Sequence, residues 1–217
     1  MKRTPVTHPV RRYGVLCVGL AILALGIAFS IKAGLGTSPI SSLPYVVSLF
    51  APMSVGVATI ALHCVLILMQ MALLRKNYDP VQLIQLPVAI LFGYLMDLSV
   101  WLIRDLPCEG YGMQWVYCIV GIVLVGIGVS FEVTANVVTL AGEGAVLALC
   151  QVFPVPFPRA KVAFDSSLVL LAVVLSLAVL GYLAGVREGT AAAALLVGVV
   201  AKQGNRTMAP FAQRYLA

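Results

Sequence analysis

The sequence predicts an all-α membrane protein in which six transmembrane helices form two inverted three-helix repeats. Each repeat is expected to carry a short broken or re-entrant helix after its first span. Three observations predict this fold: 61% of the 217 residues are hydrophobic and only 10% are charged, six long apolar stretches hold most of the chain, and two polar interruptions follow the first and fourth stretches. Soluble domains have about 25% charged residues, so we expect no separate soluble domain.

The six apolar stretches set the predicted domain boundaries. They cover about 13–31, 54–74, 81–103, 113–131, 162–184 and 189–203. The first is too long for a signal peptide and lacks a clear cleavage site, so we interpret it as a retained span. The last would reach only about 22 Å, which requires local thinning or shelter by neighbouring helices. The predicted units are an N-terminal segment (1–12), a first repeat (13–103), an extracellular or periplasmic loop (104–112), a second repeat (113–203) and a C-terminal tail (204–217).

The basic residues fall mainly on one side of this topology. With the N-terminus in the cytoplasm, six crossings leave only Lys32, Arg104 and Arg187 of the 14 Lys and Arg residues outside. This distribution follows the positive-inside rule. We therefore expect a multi-pass protein of a bacterial inner membrane with both termini in the cytoplasm. Because topology signals account for the net charge of +6, nucleic-acid binding is not expected.

The second half of the chain resembles the first. "LGIAFSIKAGLG" (25–36) aligns with "VGIGVSFEVTAN" (125–136) at an offset of 100. The identical residues in the first string are Gly26, Ile27 and Ser30. The alignment makes Lys32 equivalent to Glu132. Each half then contains three crossings, an odd number, so the two copies must insert in opposite orientations. Inverted repeats of this kind are typical of secondary transporters.

The first polar interruption, "GLGTSPISSLPYVV" (34–47), has two interpretations. It could be an external connection in which Thr37 or Ser38 caps a helix that begins at Pro39. It could also bind a solute, because the free amides of a helix N-terminus suit an anionic group. Irregular backbone at membrane depth is tolerated only where protein or water covers it.

The second interruption, "TANVVTLAGEGAVLALCQ" (134–151), has a similar composition and adds Glu143 between two glycines. We expect this carboxylate to line an aqueous pocket, and we expect the two interruptions to meet near the middle of the bilayer. The predicted solute-binding residues are Gly36, Thr37, Ser38, Ser41, Ser42, Asn136, Thr139 and Glu143.

Ionisable residues at the ends of spans are candidates for coupling or gating, because a charge within a bilayer is costly and usually faces a partner or a cavity. These candidates are Lys32, Asp97, Glu132 and Asp165. Each could instead simply reach interfacial water. His63, in the second span, fits a buried neutral histidine better than a proton carrier.

Chemistry beyond binding has little support in the sequence. The five cysteines show no metal or disulfide spacing, and no hydrolase, metalloprotease or phosphate-binding motif is present. We therefore expect no cofactor, no metal and no enzymatic activity. An intramembrane enzyme that uses Asp97 and Asp165 is the weaker alternative, because these residues fall near opposite faces of the bilayer.

Three motifs resemble a known family. "SIKAGLGTSPISSLP", "GYLMDL" and "GVREGTAAAALLVG" are similar to segments of the YczE/YyaS/YitT family of bacterial membrane proteins, and the similarity extends from about Tyr13 to Asn205. Where family members tend to place Trp-Asp after the proline, this chain has Ile40 and Ser41. The resemblance implies a membrane location, agrees with a repeat architecture and associates the chain with transport or export.

The sequence therefore favours a secondary transporter or facilitator that moves a small anionic or zwitterionic solute by alternating access. The expected partners are the lipid bilayer and this solute, and a homodimer is compatible with a narrow bundle. The alternative is a non-transporting scaffold, or a substrate-binding subunit of a larger transport complex.

Overall fold

A computed structural model of the chain describes residues 8–215, without the side chains of residues 211, 213 and 214. Lys2 and Arg3 of the predicted N-terminal segment lie outside this range. The described residues form eight α-helices and no strand. The helices are α1 (Pro9–Ala33), α2 (Pro39–Phe50), α3 (Val55–Leu74), α4 (Gln85–Leu102), α5 (Tyr111–Ala135), α6 (Ala141–Val152), α7 (Phe157–Leu175) and α8 (Glu188–Tyr215).

Five helical segments of the described chain are long and apolar enough to cross a bilayer, which marks a multi-pass membrane protein. They are Pro9–Ala33, Val55–Asn77, Pro80–Leu102, Tyr111–Ala135 and Phe157–Leu180. The sixth predicted span belongs to α8, whose second half is polar. This helix continues to Tyr215 instead of ending before a separate tail. Helices α2 and α6 have 12 residues each, which is too short to span.

The two short helices follow similar chain reversals. Helix α1 ends at Gly34, which adopts a left-handed conformation with φ of 68°. Helix α5 ends at Asn136, which is also left-handed with φ of 47°. Glycine and asparagine are the residues that most readily adopt this helix-terminating geometry. After each reversal a few extended residues lead into α2 or α6.

Helices α1 and α5 form the central pair of the bundle and cross at small residues. A Cβ atom on Gly26 would lie 2.6 Å from the Val125 nitrogen, and a Cβ atom on Gly128 would lie 2.6 Å from the Leu23 Cβ. The backbones therefore approach more closely than any side chain would permit, as is common between membrane helices. Around this pair, α4 packs on α1 and α8 packs on α5.

Three helices of the first half begin at a constant distance from three helices of the second half. Pro9 and Tyr111 begin α1 and α5, Pro39 and Ala141 begin α2 and α6, and Val55 and Phe157 begin α3 and α7. All three pairs are 102 residues apart, whereas the sequence alignment of the halves uses an offset of 100. An offset of 102 would pair Glu132 with Ser30 and Lys32 with Thr134.

Candidate functional site

The N-terminal ends of the two short helices are in contact. The side chain of Ile40, at the start of α2, lies directly against Gly142, at the start of α6. Helix α2 then packs along α3 and α7, and α6 packs along the same two helices. The hydroxyl-rich interruption and the acidic interruption therefore meet inside the bundle.

The hydroxyls of the first interruption are mostly satisfied within α2. The helix begins at Pro39, as the sequence predicts, with Ser38 at the N-cap position. The Ser38 hydroxyl donates to the Ser41 hydroxyl at 2.9 Å, and the buried Ser42 hydroxyl donates to the Pro39 carbonyl at 2.7 Å. Thr37 differs, because its side chain is 1% exposed and its hydroxyl has no hydrogen-bond partner. Thr37 is therefore the hydroxyl available to a ligand that enters here.

The segment before α2 is hydrogen-bonded to the start of α8 and to the residues just before it. The Thr37 amide donates to the Gly185 carbonyl at 3.1 Å, and the Gly189 amide donates to the Leu35 carbonyl at 2.8 Å. Gly36 has φ of 95° and contacts the backbone of Arg187, so a side chain at this position would be excluded. These contacts form a covering layer over one side of the site.

Carboxylates dominate the second interruption. Glu132 is 4% exposed, and its Oε1 atom accepts a hydrogen bond of 2.8 Å from the Leu140 amide just before α6. Glu143, in the first turn of α6, is within electrostatic range of Glu132, Lys161 and Asp165. Lys161 and Asp165 form an ion pair of 2.8 Å one turn apart on α7. The charges of that pair balance each other, and Glu132 and Glu143 add two further carboxyl groups to this side of the site.

A buried pair of glutamine side chains lies beside the start of α6. The Nε2 atom of Gln70 on α3 donates to Gln85 Oε1 on α4 and to the Ala141 carbonyl, both at 3.1 Å. A Cβ atom on Gly144 would lie 2.7 Å from Gln70 Oε1, so only glycine fits beneath the pair. The signal in the sequence is that Gln70 and Gln85 lie within two successive apolar stretches.

Four of the predicted site residues lie elsewhere or serve other roles. Asn136 is exposed at the α5 terminus, and Thr139 is half-buried in the segment that leads to α6. Lys32 donates to the Arg104 carbonyl in the loop after α4. Asp97 accepts from the Ser54 hydroxyl at 2.6 Å and the Gly56 amide at 2.7 Å, and so caps the start of α3.

His63 is buried near the site, on the same helix as Gln70. Its side chain is 3% exposed and stacks on Phe92 with ring centroids 5.9 Å apart. The Nδ1 atom of the ring has no hydrogen-bond partner among the described residues. His63 and Gln70 are seven residues apart, so they share a face of α3.

Two clefts on the described part of the bundle are lined by no residue of the candidate site. One lies between α1, α5 and α8, and the other lies between the end of α6 and the start of α7. Thr37, Ser42 and Glu132 are packed within protein. A solute would reach these three side chains after helices or covering segments move.

Fold and site together define an all-helical membrane protein with two short helices that meet end to end. The chain belongs to a family of unknown function, DUF6198, whose model matches residues 10–206. It is also similar to the "Uncharacterized protein YyaS" of Bacillus subtilis (strain 168), with 30% identity over 118 residues. That match covers 54% of this chain and 57% of the relative, so the chain spans little more than half the relative's length. No solved structure matches.

Proposed function

We propose that the chain is a secondary transporter or facilitator for a small solute, with six crossings arranged as two inverted repeats. The observation that carries this proposal is the contact between Ile40 and Gly142, which brings the N-termini of both short helices to one point. Discontinuous helices that meet in this way form the solute sites of many inverted-repeat transporters. The family match and the similarity to YyaS both describe a YyaS-like protein. The wider grouping with YczE and YitT stays a prediction.

The arrangement of the helices supports the repeat. The contacts of α1 with α4 correspond to those of α5 with α8, and the contacts of α2 with α7 correspond to those of α6 with α3. The glycines of the central crossing follow the same register, since Gly19 and Gly26 correspond to Gly121 and Gly128. An axis in the membrane plane between α1 and α5 would relate the halves.

The charges of the site favour a zwitterionic solute over a simple anion. The α2 side offers the positive end of a helix dipole and the unpaired Thr37 hydroxyl, which suit an anionic group. The α6 side offers Glu132 and Glu143, which suit an ammonium or another cationic group. A solute with both groups would connect the two short helices.

Transport by purified protein in proteoliposomes tests this proposal. Solutes are screened for uptake, and the protein is compared with the double variant Thr37→Ala/Glu143→Gln. We expect the uptake rate of the double variant to fall by at least about tenfold, because one hydroxyl group and one carboxyl group of the site are removed together. The matched control Ser48→Ala/Glu109→Gln removes the same groups at the far end of α2 and in an exposed loop, and should retain uptake.

Two outcomes would overturn parts of the proposal. Uptake that survives in the Thr37/Glu143 double variant would exclude this site. Solute binding without uptake, together with co-purification of energising subunits, would favour the alternative of a substrate-binding subunit.

A further inference from the structure

A groove of about 550 Å³ lies between α1, α5 and α8, at the end of the bundle where α1 begins. Its lining includes Arg11, Gly14 and Val18 of α1, Phe131 of α5, and Met208 and Tyr215 of α8. Apart from the guanidinium of Arg11 and the hydroxyls of Thr207 and Tyr215, the groove is apolar. None of these residues takes part in the candidate solute site.

The groove is open along α1 because Gly14 has no side chain. A Cβ atom on Gly14 would have no neighbour within 4 Å, whereas Gly19, further along α1, is tightly packed against Phe131. The space at Gly14 is therefore left open by the helices themselves. Val18, next to it on the same face, is 51% exposed. An apolar groove open to the bilayer can be occupied by a lipid chain.

This end of the bundle is also basic. Arg11 and Arg12 lie in the first turn of α1, and Lys202 and Arg206 are exposed on α8. Arg12 donates to the Ala135 carbonyl at 3.1 Å, at the end of α5, while Arg11 lines the groove. The nearest carboxylate along α5, Glu132, is buried and accepts from the Leu140 amide instead. Basic pockets between membrane helices bind anionic lipid headgroups.

We propose that this groove binds one acyl chain of an anionic phospholipid, with the lipid phosphate at Arg11. The apolar lining matches the chain, and the positive charge of Arg11 complements the phosphate. A second copy of the protein fits less well, because the groove is concave, open at Gly14 and charged at one end. The inference is independent of the proposed transport function.

Native mass spectrometry of the delipidated protein tests the proposal. Phosphatidylglycerol and phosphatidylcholine with identical chains are added separately to the full chain in a mild detergent. We expect phosphatidylglycerol to bind more tightly. Arg11→Gln should weaken its binding about fivefold, since one basic residue near an anionic surface contributes about 1 kcal/mol. It should weaken phosphatidylcholine binding less, because the choline cation already offsets the charge of that phosphate. Equal binding of the two lipids by the unaltered protein would overturn the proposal.

A matched pair of glycine variants tests the position of the chain. Gly14→Leu fills the groove and should weaken the binding of both lipids, whereas Gly198→Leu places the same side chain in open space on α8 and should change neither. Unchanged lipid binding by Gly14→Leu would exclude this groove. A shift from dimer to monomer in Gly14→Leu without added lipid would show that a second copy occupies it instead. Should Gly14→Leu fail to fold, the result with Arg11→Gln still decides the headgroup site.

Discussion

At the scale of single residues, several charges near span ends bond to backbone groups rather than to a cavity. Asp97 caps the first turn of α3, and Arg187 donates to the Gly34 carbonyl at the end of α1. Arg12 does the same at the end of α5. Anions at helix N-termini and cations at C-termini are the favourable arrangement. Under the proposed transport function, coupling would fall to Glu132, Glu143 and the Lys161–Asp165 pair.

The buried amides Gln70 and Gln85 provide a prediction at this scale. Replacing either by leucine leaves its partner unpaired inside the protein, which costs about 1–3 kcal/mol. Gln70→Leu should destabilise more, because Gln70 also donates to the Ala141 carbonyl. The double variant should lose less stability than the sum of the single variants, with a coupling of about 0.5–3 kcal/mol. Thermal unfolding in detergent measures this, with the exposed Gln203→Leu as control. Strictly additive losses of stability in the two single variants would contradict an interaction between Gln70 and Gln85.

At the scale of elements, the central crossing of α1 and α5 depends on glycine. A Cβ atom on Gly128 would lie 2.6 Å from the Leu23 Cβ and 2.7 Å from the Leu23 nitrogen. Gly128→Ala should therefore separate the helices and destabilise the protein by about 1–3 kcal/mol. The matched variant Gly198→Ala, in open space, should leave stability unchanged or slightly raised, since alanine favours helix. Equal melting temperatures for the two variants would contradict the close crossing.

Much of this element pattern was readable from the sequence. Long apolar runs predicted the spanning helices, and Pro39 predicted where α2 begins, because proline fits the first turn of a helix. The alignment of the halves differs by two residues from the spacing of the turns at Gly34 and Asn136, since three identities cannot fix a register. The contact between Gln70 and Gln85 depends on how α3 and α4 pack, and glutamines within apolar runs do not disclose that packing.

At the scale of the whole molecule, hydrogen bonds hold the backbone of both polar interruptions in place. Residues 34–37 are held by backbone hydrogen bonds to residues 185–189, while Leu140 and Ala141 are held by Glu132 and Gln70. The two sets of contacts use different partners, because the first binds residues at the start of α8 and the second binds α5 and α3. For alternating access, one set would have to open while the other stays closed. The start of α8 is one of the covering elements, so its path through the bilayer is central to this mechanism.

The path of α8 decides the topology and gives the last prediction. If α8 crosses, the chain has six spans and both termini lie in the cytoplasm. A green fluorescent protein fused after Ala217 should then fluoresce, and alkaline phosphatase fused there should be inactive. A phosphatase fusion after Glu109 serves as the internal control, because three spans precede it under either topology and it should be active. An active phosphatase after Ala217 would show that α8 does not cross. In that case the pairing of α4 with α8 would be lost, and the inverted repeat would be excluded.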